Sequence, residues 1–197
     1  MQQFFADPSQ ISEGRIYLKG PDVNHIRNVL RMKPGEDVRV SDGGGRTYLC
    51  CIHAYEEGAA ALDILRELDA DTELPSKIWL FQGLPKGDKM DLIVQKAVEL
   101  GVYKVIPFAA KRSIVKLDER KAGKRQERWQ MIAKGAAEQS GRSRIPEVER
   151  PVSYSEAVRA AGELDVVLIP YELEEGRERT AQIIGNIRAG QSIGVFI

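Results

Sequence analysis

Ile78-Trp79-Leu80-Phe81 is an apolar run that predicts a buried strand, and Val105-Ile106-Pro107 predicts the next strand along the chain. Between them we expect a helix, which Asp88 caps at its beginning and Gly101 ends. An apolar strand, a helix and a second apolar strand are the pattern of a parallel sheet with helices on its faces. This stretch therefore predicts an α/β fold.

The same alternation continues along the rest of the chain. The apolar residues around Trp129 fall on one helical face, and Ser153 with Glu156 forms a capping box. The further predicted elements are a helix through Trp129, a helix from Ser153 to Ala161, a strand Val166–Ile169, a helix Arg179–Ile187 and a strand Ser192–Ile197. We therefore expect a mainly parallel sheet, covered on both faces, in a second domain over residues 75–197.

The first part of the chain has a different pattern. Short alternating runs such as Arg15-Ile16-Tyr17-Leu18 predict strands, and Asp42-Gly43-Gly44-Gly45 is a strong turn signal. One short helix fits Pro21–Leu30, with Pro21 at its first position. Short strands joined by glycine turns predict a small β-barrel over residues 1–70. The acidic, proline-terminated connection Asp69–Pro75 predicts the domain boundary.

Composition excludes several classes of protein. The chain of 197 residues carries 29 Lys and Arg against 29 Asp and Glu, so any nucleic-acid surface must be local. Cys50 and Cys51 are adjacent and poor disulfide partners, and with His25 and His53 they make no recognisable metal-ligand set. The start of the chain is not a signal peptide, and no apolar run reaches membrane-spanning length. We expect a cytoplasmic protein without a metal.

Polar residues gather where the predicted strands end. Ligands of open α/β sheets bind beyond the carboxyl ends of the strands, which here are the loops after Phe81, Ile106, Ile169 and Ile197. Lys86 lies in the first loop, where it either has no ligand or attracts an anion to a helix N-terminus. The glycines around it fit neither an ATP-binding nor a dinucleotide-binding fingerprint, so both kinds of site are rejected.

Two motifs carry a resemblance to a known family. The first is Leu84-Pro85-Lys86-Gly87-Asp88-Lys89-Met90 followed by Gln95–Val102, and the second is Ala136–Arg142 followed by Ile145-Pro146. Together they resemble the bacterial RsmE family, SPOUT-superfamily methyltransferases that modify N3 of a uridine in 16S ribosomal RNA. The resemblance implies S-adenosylmethionine as cofactor and a homodimer. It also implies a PUA-like RNA-binding barrel in residues 1–70 and a knotted SPOUT-type domain in residues 75–197.

The reaction that the resemblance implies sets requirements for the catalytic residues. Methylation of N3 requires that its proton leaves and that cations near the uracil carbonyls stabilise the developing negative charge. Arg112 and Arg142 are the predicted cations, and Glu138 is a candidate general base that no pattern in the sequence fixes. No covalent cysteine intermediate is expected, because N3 is itself the nucleophile.

Binding residues are assigned in the same way. The turn Pro170-Tyr171-Glu172 is expected to border the cofactor pocket. Arg27, Arg31, Lys86 and Gln139 are the predicted RNA-binding residues. Most family members carry a basic residue before the paired phenylalanines, where this chain has Gln3, which weakens an RNA contact there. In the family a Gly-Pro-Glu-Gly-Gly loop, a helix and a knot-closing segment follow the last strand, and we expect them beyond Ile197.

Several features keep two interpretations. Glu99 forms either a local pair with Lys96 or a fixed carboxylate that orients Arg112 or Arg142. The basic run from Lys111 to Arg128 is either a solvated face or a surface for phosphates. Arg142 can also simply cap helix carbonyls. The alternatives for the whole chain are a non-catalytic RNA-binding or ribosome-assembly module and an α/β enzyme that uses another nucleotide.

Overall fold

The computed structural model describes residues 1–69, 72–110, 119–170 and 177–197. Their contacts divide the chain into two compact units. The first comprises residues 1–73 and 137–145, and the second comprises residues 74–136 and 146–197. The chain therefore returns to the first unit after residue 136, a return that the linear ranges 1–70 and 75–197 do not contain.

One six-stranded sheet forms the frame of the first unit. Its strands are β1 (Gln3–Phe5), β2 (Ile11–Ser12), β3 (Arg15–Lys19), β4 (Asp37–Ser41), β5 (Thr47–Glu56) and β6 (Ala59–Leu68). They lie in the order β1-β4-β5-β6-β3-β2. The pair of β1 and β4 is parallel and the other pairs are antiparallel. The predicted β-rich first part is confirmed as a sheet, while its closure into a barrel stays a prediction.

The predicted glycine turn joins β4 to β5. There the Asp42 carboxylate accepts hydrogen bonds from the backbone N–H groups of Gly44 (2.7 Å) and Arg46 (3.0 Å). An aspartate that bonds the backbone two residues ahead is a common turn device, and Gly43 and Gly45 have positive φ angles of 70° and 117°. The sequence signal thus corresponds to a turn stabilised by its own aspartate.

The predicted helix of the first unit is present in an altered form. Helix α1 (Pro21–Asn24) begins with Pro21 and continues as a π-helical turn, His25–Val29. Ile26 in this turn is fully buried and belongs to the apolar core of the sheet. The core is built from alternating strand residues, among them Phe4, Ile16, Leu18, Val38, Val40, Cys50, Ile52 and Leu62.

The second unit alternates strands and helices as predicted. Its elements are β7 (Lys77–Gly83), α2 (Lys89–Glu99), β8 (Lys104–Ala109), α3 (Glu119–Ser140), β9 (Glu147–Val148), β10 (Val152–Ser153), α4 (Tyr154–Ala161), β11 (Val166–Leu168), α5 (Arg177–Gly185) and β12 (Ser192–Phe196). The strands lie in the order β10-β8-β7-β12-β11, β9 also pairs with β8, and every pair is parallel. The predicted parallel sheet is confirmed. A knot stays a prediction.

Three local predictions differ from the structure. Asp88 occupies the N-cap position of α2, but its side chain makes no capping hydrogen bond. Helix α5 begins at Arg177 rather than at Arg179. Strand β11 lies at one end of the sheet and leaves Val167 41% exposed, so the described residues do not cover it on both faces. The capping box of Ser153 and Glu156 is confirmed at the start of α4.

Aromatic side chains fill the core of the second unit. Phe81 on β7 stacks on Phe196 of β12 with ring centroids 4.5 Å apart, and Phe108 on β8 lies 5.8 Å from Phe196. A Cβ atom on Gly194 would lie 2.9 Å from Leu164 and 3.1 Å from Phe81, so this central strand needs glycine there. In the described part of the chain, no helix is both long and apolar enough to cross a membrane.

Candidate functional site

The carboxyl ends of four parallel strands meet at one edge of the second sheet. Strands β7 and β12 are tied together there, because the Gly83 N–H donates to the Ile197 carbonyl at 2.7 Å and the Ile197 N–H donates to the Phe81 carbonyl at 2.9 Å. A Cβ atom on Gly83 would lie 3.3 Å from the Ile197 oxygen, so glycine permits this close approach. The loops that follow these strands leave from the same edge, which is where open α/β sheets bind ligands.

Two apolar side chains remain exposed at this edge. Ile169 follows β11 and is 69% exposed, and Ile197 follows the neighbouring β12 and is 60% exposed. Pro170 continues the chain from Ile169 and is also exposed. Adjacent exposed apolar residues at a ligand edge are suited to cover the apolar face of a planar group. The side of this edge near β11 is therefore a candidate binding surface.

The loop after β7 carries an exposed cation. Lys86 is exposed and lies three residues before the first residue of α2. Because the Asp88 side chain does not cap α2, no carboxylate bond from this residue satisfies the first N–H groups of the helix. A lysine beside a helix N-terminus is an arrangement that attracts phosphate.

Arg142, by contrast, is a buried residue of the first unit. It is only 3% exposed, and its guanidinium forms an ion pair with the Glu73 carboxylate, including a 3.3 Å bond from Nε to Oε1. Its backbone carbonyl accepts a 2.6 Å hydrogen bond from Nε2 of Gln3. Both the charge and the backbone of Arg142 are thus held inside the protein.

The next residue is held equally firmly. The Ser143 N–H donates to Oε1 of Glu73 at 3.1 Å, and the Ser143 carbonyl accepts a 2.7 Å bond from the Ser41 hydroxyl. Gly141, with a φ angle of 69°, makes the turn that leads from α3 into this segment. Glu73 therefore anchors two consecutive residues of the segment that returns to the first unit.

Two arginines lie near the π-helical turn of the first unit. Arg27 is exposed, with its guanidinium carbon 5.5 Å from the centroid of the Tyr55 ring. Arg31 is also exposed and has a φ angle of 55°, which is uncommon for a residue other than glycine. Because the helical turn ends at Val29, Arg27 lies within the turn and Arg31 follows it. They flank the end of the turn.

Two family models match the chain. One is described as an RNA methyltransferase domain and matches residues 72–197, and the other is described as an RNA methyltransferase PUA domain and matches residues 18–65. Ribosomal RNA small subunit methyltransferase E of Bacillus subtilis is 37% identical over 175 residues, which are 87% of this chain and 68% of that protein. The chain belongs to the ribosomal RNA small subunit methyltransferase E family. The predicted family and enzyme class are confirmed.

Further similar proteins are also named as methyltransferases. The protein of the same name from Synechocystis is 32% identical over 82% of this chain and 52% of its own length. Two solved structures cover 99% of this chain and 78% of their own. One is methyltransferase E from Neisseria gonorrhoeae bound to S-adenosyl methionine, with a TM-score of 0.81 and 32% identity. The other is a putative methyltransferase of Legionella pneumophila with the bound cofactor SAM, with a TM-score of 0.84 and 28% identity.

The residues predicted for this methyltransferase fall into three groups. Arg27, Arg31, Glu138, Gln139 and Arg142 belong to the first unit. Lys86 and Pro170 belong to the second unit, where they follow the carboxyl ends of β7 and β11. Arg112, Tyr171 and Glu172 lie outside the described residues.

Glu138 and Gln139 lie in the last turn of α3, close in sequence to Arg142. Gln139 is exposed, whereas Glu138 is partly buried. The exposed amide is available to a base or a phosphate without rearrangement.

Glu99 has the local environment that one interpretation predicted. Its carboxylate accepts bonds from Nζ of Lys96 (2.7 Å) and Nε2 of Gln95 (2.9 Å). The hydrogen bond from Lys96, followed by that from Gln95, lowers the pKa of Glu99. Arg142 pairs with Glu73 instead, so orientation of Arg142 by Glu99 is wrong.

Two residues of the first unit have structural roles that the sequence pattern does not indicate. Glu73 lies in what reads as an acidic connection, although its partner Arg142 is 69 residues away. Gln3 stands where the family resemblance leads one to expect a basic residue, and its buried amide donates to the Arg142 carbonyl. The departure from the family at position 3 was the one feature of the sequence that pointed to a structural role for Gln3. Among the described residues, no group of three or more His, Cys, Asp and Glu is placed to hold a metal ion.

Proposed function

We propose that this chain transfers a methyl group from S-adenosylmethionine to N3 of a uridine in 16S ribosomal RNA. The observation that carries the proposal is its membership of the methyltransferase E family, with matches to both the methyltransferase and the PUA models. The proposed domains are an RNA-binding domain at residues 1–70 and a methyltransferase domain at residues 75–197. A homodimer in the cytoplasm is part of the same proposal.

S-adenosylmethionine is the cofactor, since two structural neighbours of the chain are bound to it. The exposed apolar residues Ile169, Pro170 and Ile197 fit an adenosine group, which has an apolar face and polar edges. When bound, the cofactor supplies an activated methyl group on sulfur. Pro170 is proposed as a contact, and Tyr171 and Glu172 remain proposed contacts from the family resemblance.

The target atom sets the chemical requirements. N3 lies on the Watson–Crick edge of uracil, so the base must be unpaired or turned out of its helix. The protein must hold the nitrogen in line with the methyl group and sulfur, and must stabilise negative charge on the uracil carbonyls. Arg112 is proposed for the charge and Glu138 for the proton.

Arg142 is proposed as a positioning residue. Its guanidinium is buried and engaged by Glu73, so it supports the segment that carries Glu138 and Gln139. A direct contact of Arg142 with the uracil, as the family resemblance implies, stays a prediction. A positioning role would appear in the affinity for RNA and in protein stability together.

Exposed cations are proposed for RNA binding. Arg27, Arg31 and Lys86 have exposed side chains, as does Gln139. Arginine and lysine can contact phosphates, and an amide can read a base edge. These four residues would fix the RNA rather than perform the reaction.

The first test is calorimetric titration of S-adenosylhomocysteine. It should be made with the 197-residue chain and with a form extended past Ile197. Binding by the extended form supports the methyltransferase, and additional binding by the shorter chain would place the whole pocket within it. If neither form binds, the non-catalytic RNA-binding alternative replaces the proposal.

A further inference from the structure

Five basic residues line the first half of α3. They are Arg120, Lys121, Lys124, Arg125 and Arg128, named here the basic stripe, and all five are exposed. Two acidic residues, Glu119 and Glu127, share this part of the helix. In a chain whose formal net charge is zero, this is a local excess of positive charge.

Helical geometry places the stripe on one side of α3. At about 100° per residue, the five basic residues fall within an arc of about 140°. The buried residues Ala122, Trp129 and Ala133 lie on the opposite side. The stripe is therefore a continuous surface and not a series of charges scattered around the helix.

The side of α3 opposite the stripe is fixed to the second unit. Gln126 donates from Nε2 to the Val148 carbonyl at 3.0 Å. Gln130 accepts from the Val148 N–H at 2.9 Å and donates to the Pro146 carbonyl at 3.0 Å. With Trp129 also buried, the helix holds its basic side in one orientation before any ligand binds. A preformed surface loses less entropy on binding.

The basic residues differ in their partners. Arg128 forms an ion pair with Asp91 in the first turn of α2, so a carboxylate of the protein already neutralises its charge. Arg120, Lys124 and Arg125 form no ion pair with any carboxylate in the ranges that the structure describes. Within these ranges, the three charges are exposed to solvent and no carboxylate neutralises them.

A small cleft borders the stripe. Arg125 and Arg128 line it together with the loop residues Leu84 and Pro85, and its volume is about 80 Å³. Asp88 and Asp91 also line this cleft, and within it the charge of Arg128 is already paired with Asp91. A phosphate group would therefore contact the outer surface of the stripe and not the floor of the cleft.

We propose that the basic stripe binds the phosphate backbone of the RNA substrate, through Arg120, Lys124 and Arg125. The proposal rests on the proposed function and extends it by a surface outside the sheet edge. Arg120 and Lys124 are about 6 Å apart along the helix axis, one turn of the helix. Such contacts add affinity without reading sequence.

The test measures RNA binding as a function of salt. The variant Arg120→Gln/Lys124→Gln/Arg125→Gln is compared with Arg150→Gln/Arg159→Gln/Arg188→Gln, which removes three exposed charges elsewhere in the second unit. The probe is a transcript of 16S ribosomal RNA. The stripe variant should bind about tenfold more weakly at low salt. The negative slope of log affinity against log salt should become shallower by about 2 to 3. The control should keep the wild-type slope.

Two readouts separate the possible failures. Thermal unfolding checks that both variants fold, and methyl transfer by the wild-type protein checks the proposed function independently. If wild type methylates the RNA and both variants show equal slopes, the stripe proposal is overturned while the function stands. If wild type binds no RNA, both are overturned.

Discussion

The two ends of α3 use arginine in opposite ways. Just after its last residue, Arg142 is buried, ion-paired with Glu73 and bonded through its backbone to Gln3. In its first half, Arg125 is exposed and borders a small cleft. A family motif singles out the first arginine and a charge run contains the second. The structure shows that burial separates a residue that organises the protein from one that is available to a ligand.

The physical reason for this difference is desolvation. A buried guanidinium has lost its water and must be compensated by a carboxylate and further hydrogen bonds. An exposed guanidinium keeps its water, so it can exchange that water for a phosphate at little cost. The contrast between the two ends can therefore be tested by removing partners at each end.

The largest effect is expected from Glu73→Ala. It leaves the Arg142 charge buried without its partner, which should lower the free energy of unfolding by about 3 to 5 kcal/mol. The matched variant Asp91→Ala removes the partner of Arg128, which is 61% exposed, and should cost about 1 kcal/mol or less. Urea unfolding measures both. Equal losses would contradict the contrast between the ends.

A smaller loss is expected from Gln3→Ala. This change removes the buried amide that donates to the Arg142 carbonyl, and an unsatisfied buried acceptor costs about 1 to 3 kcal/mol. Lys124→Ala, at the exposed end, should change the free energy of unfolding by less than about 0.5 kcal/mol. A larger loss in the free energy of unfolding for Lys124→Ala than for Gln3→Ala would contradict the comparison.

A change in the middle of α3 should raise stability. Gly135 is exposed, and a Cβ atom there would meet nothing within 4 Å. Gly135→Ala should therefore add about 0.5 to 1 kcal/mol, because alanine favours the helix. Gly194→Ala is the buried counterpart and should lose about 1 to 3 kcal/mol through overpacking against Leu164 and Phe81. Thermal unfolding of both variants should show shifts of opposite sign.

The smallest effect concerns an exposed pair. Lys96 lowers the pKa of Glu99, so the pair stabilises the folded protein above the unfolded pKa of glutamate and loses this contribution as the pH falls through the folded pKa. Glu99→Gln should therefore be slightly less stable than wild type at pH 7, and the difference should vanish as the pH falls below the lowered folded-state pKa of Glu99. A difference that grows towards acid would contradict this sign.

The sequence predicts one unit of the fold better than the other. Apolar runs such as Ile78–Phe81 and capping signals such as Ser153 with Glu156 act locally, so the parallel sheet and its helices follow from pattern alone. The pairing of Glu73 with Arg142 joins residues far apart in the chain, and no periodicity records it. For the same reason, the return of residues 137–145 to the first unit could not be predicted.

The candidate site shows the same division. The sequence predicts that Lys86 and Pro170 follow the carboxyl ends of parallel strands, and in the structure they follow β7 and β11. Their roles in binding stay predictions. The burial of Arg142 was not predictable, because residue type and motif position say nothing about solvent exposure. The prediction that the Asp88 side chain caps α2 was wrong for a related reason. Its residue type suits the N-cap position, but residue type does not show whether the capping hydrogen bond forms.

The most direct test of the central claim is the product of the reaction. The protein, extended past Ile197, should be incubated with unmodified 16S ribosomal RNA and S-adenosylmethionine carrying a labelled methyl group. The RNA is then digested to nucleosides for mass spectrometry. The proposed function predicts label in N3-methyluridine and in no other nucleoside, and this label should be absent when the protein is omitted. Label on another atom or another base, or no label at all under conditions where the cofactor binds, would contradict it.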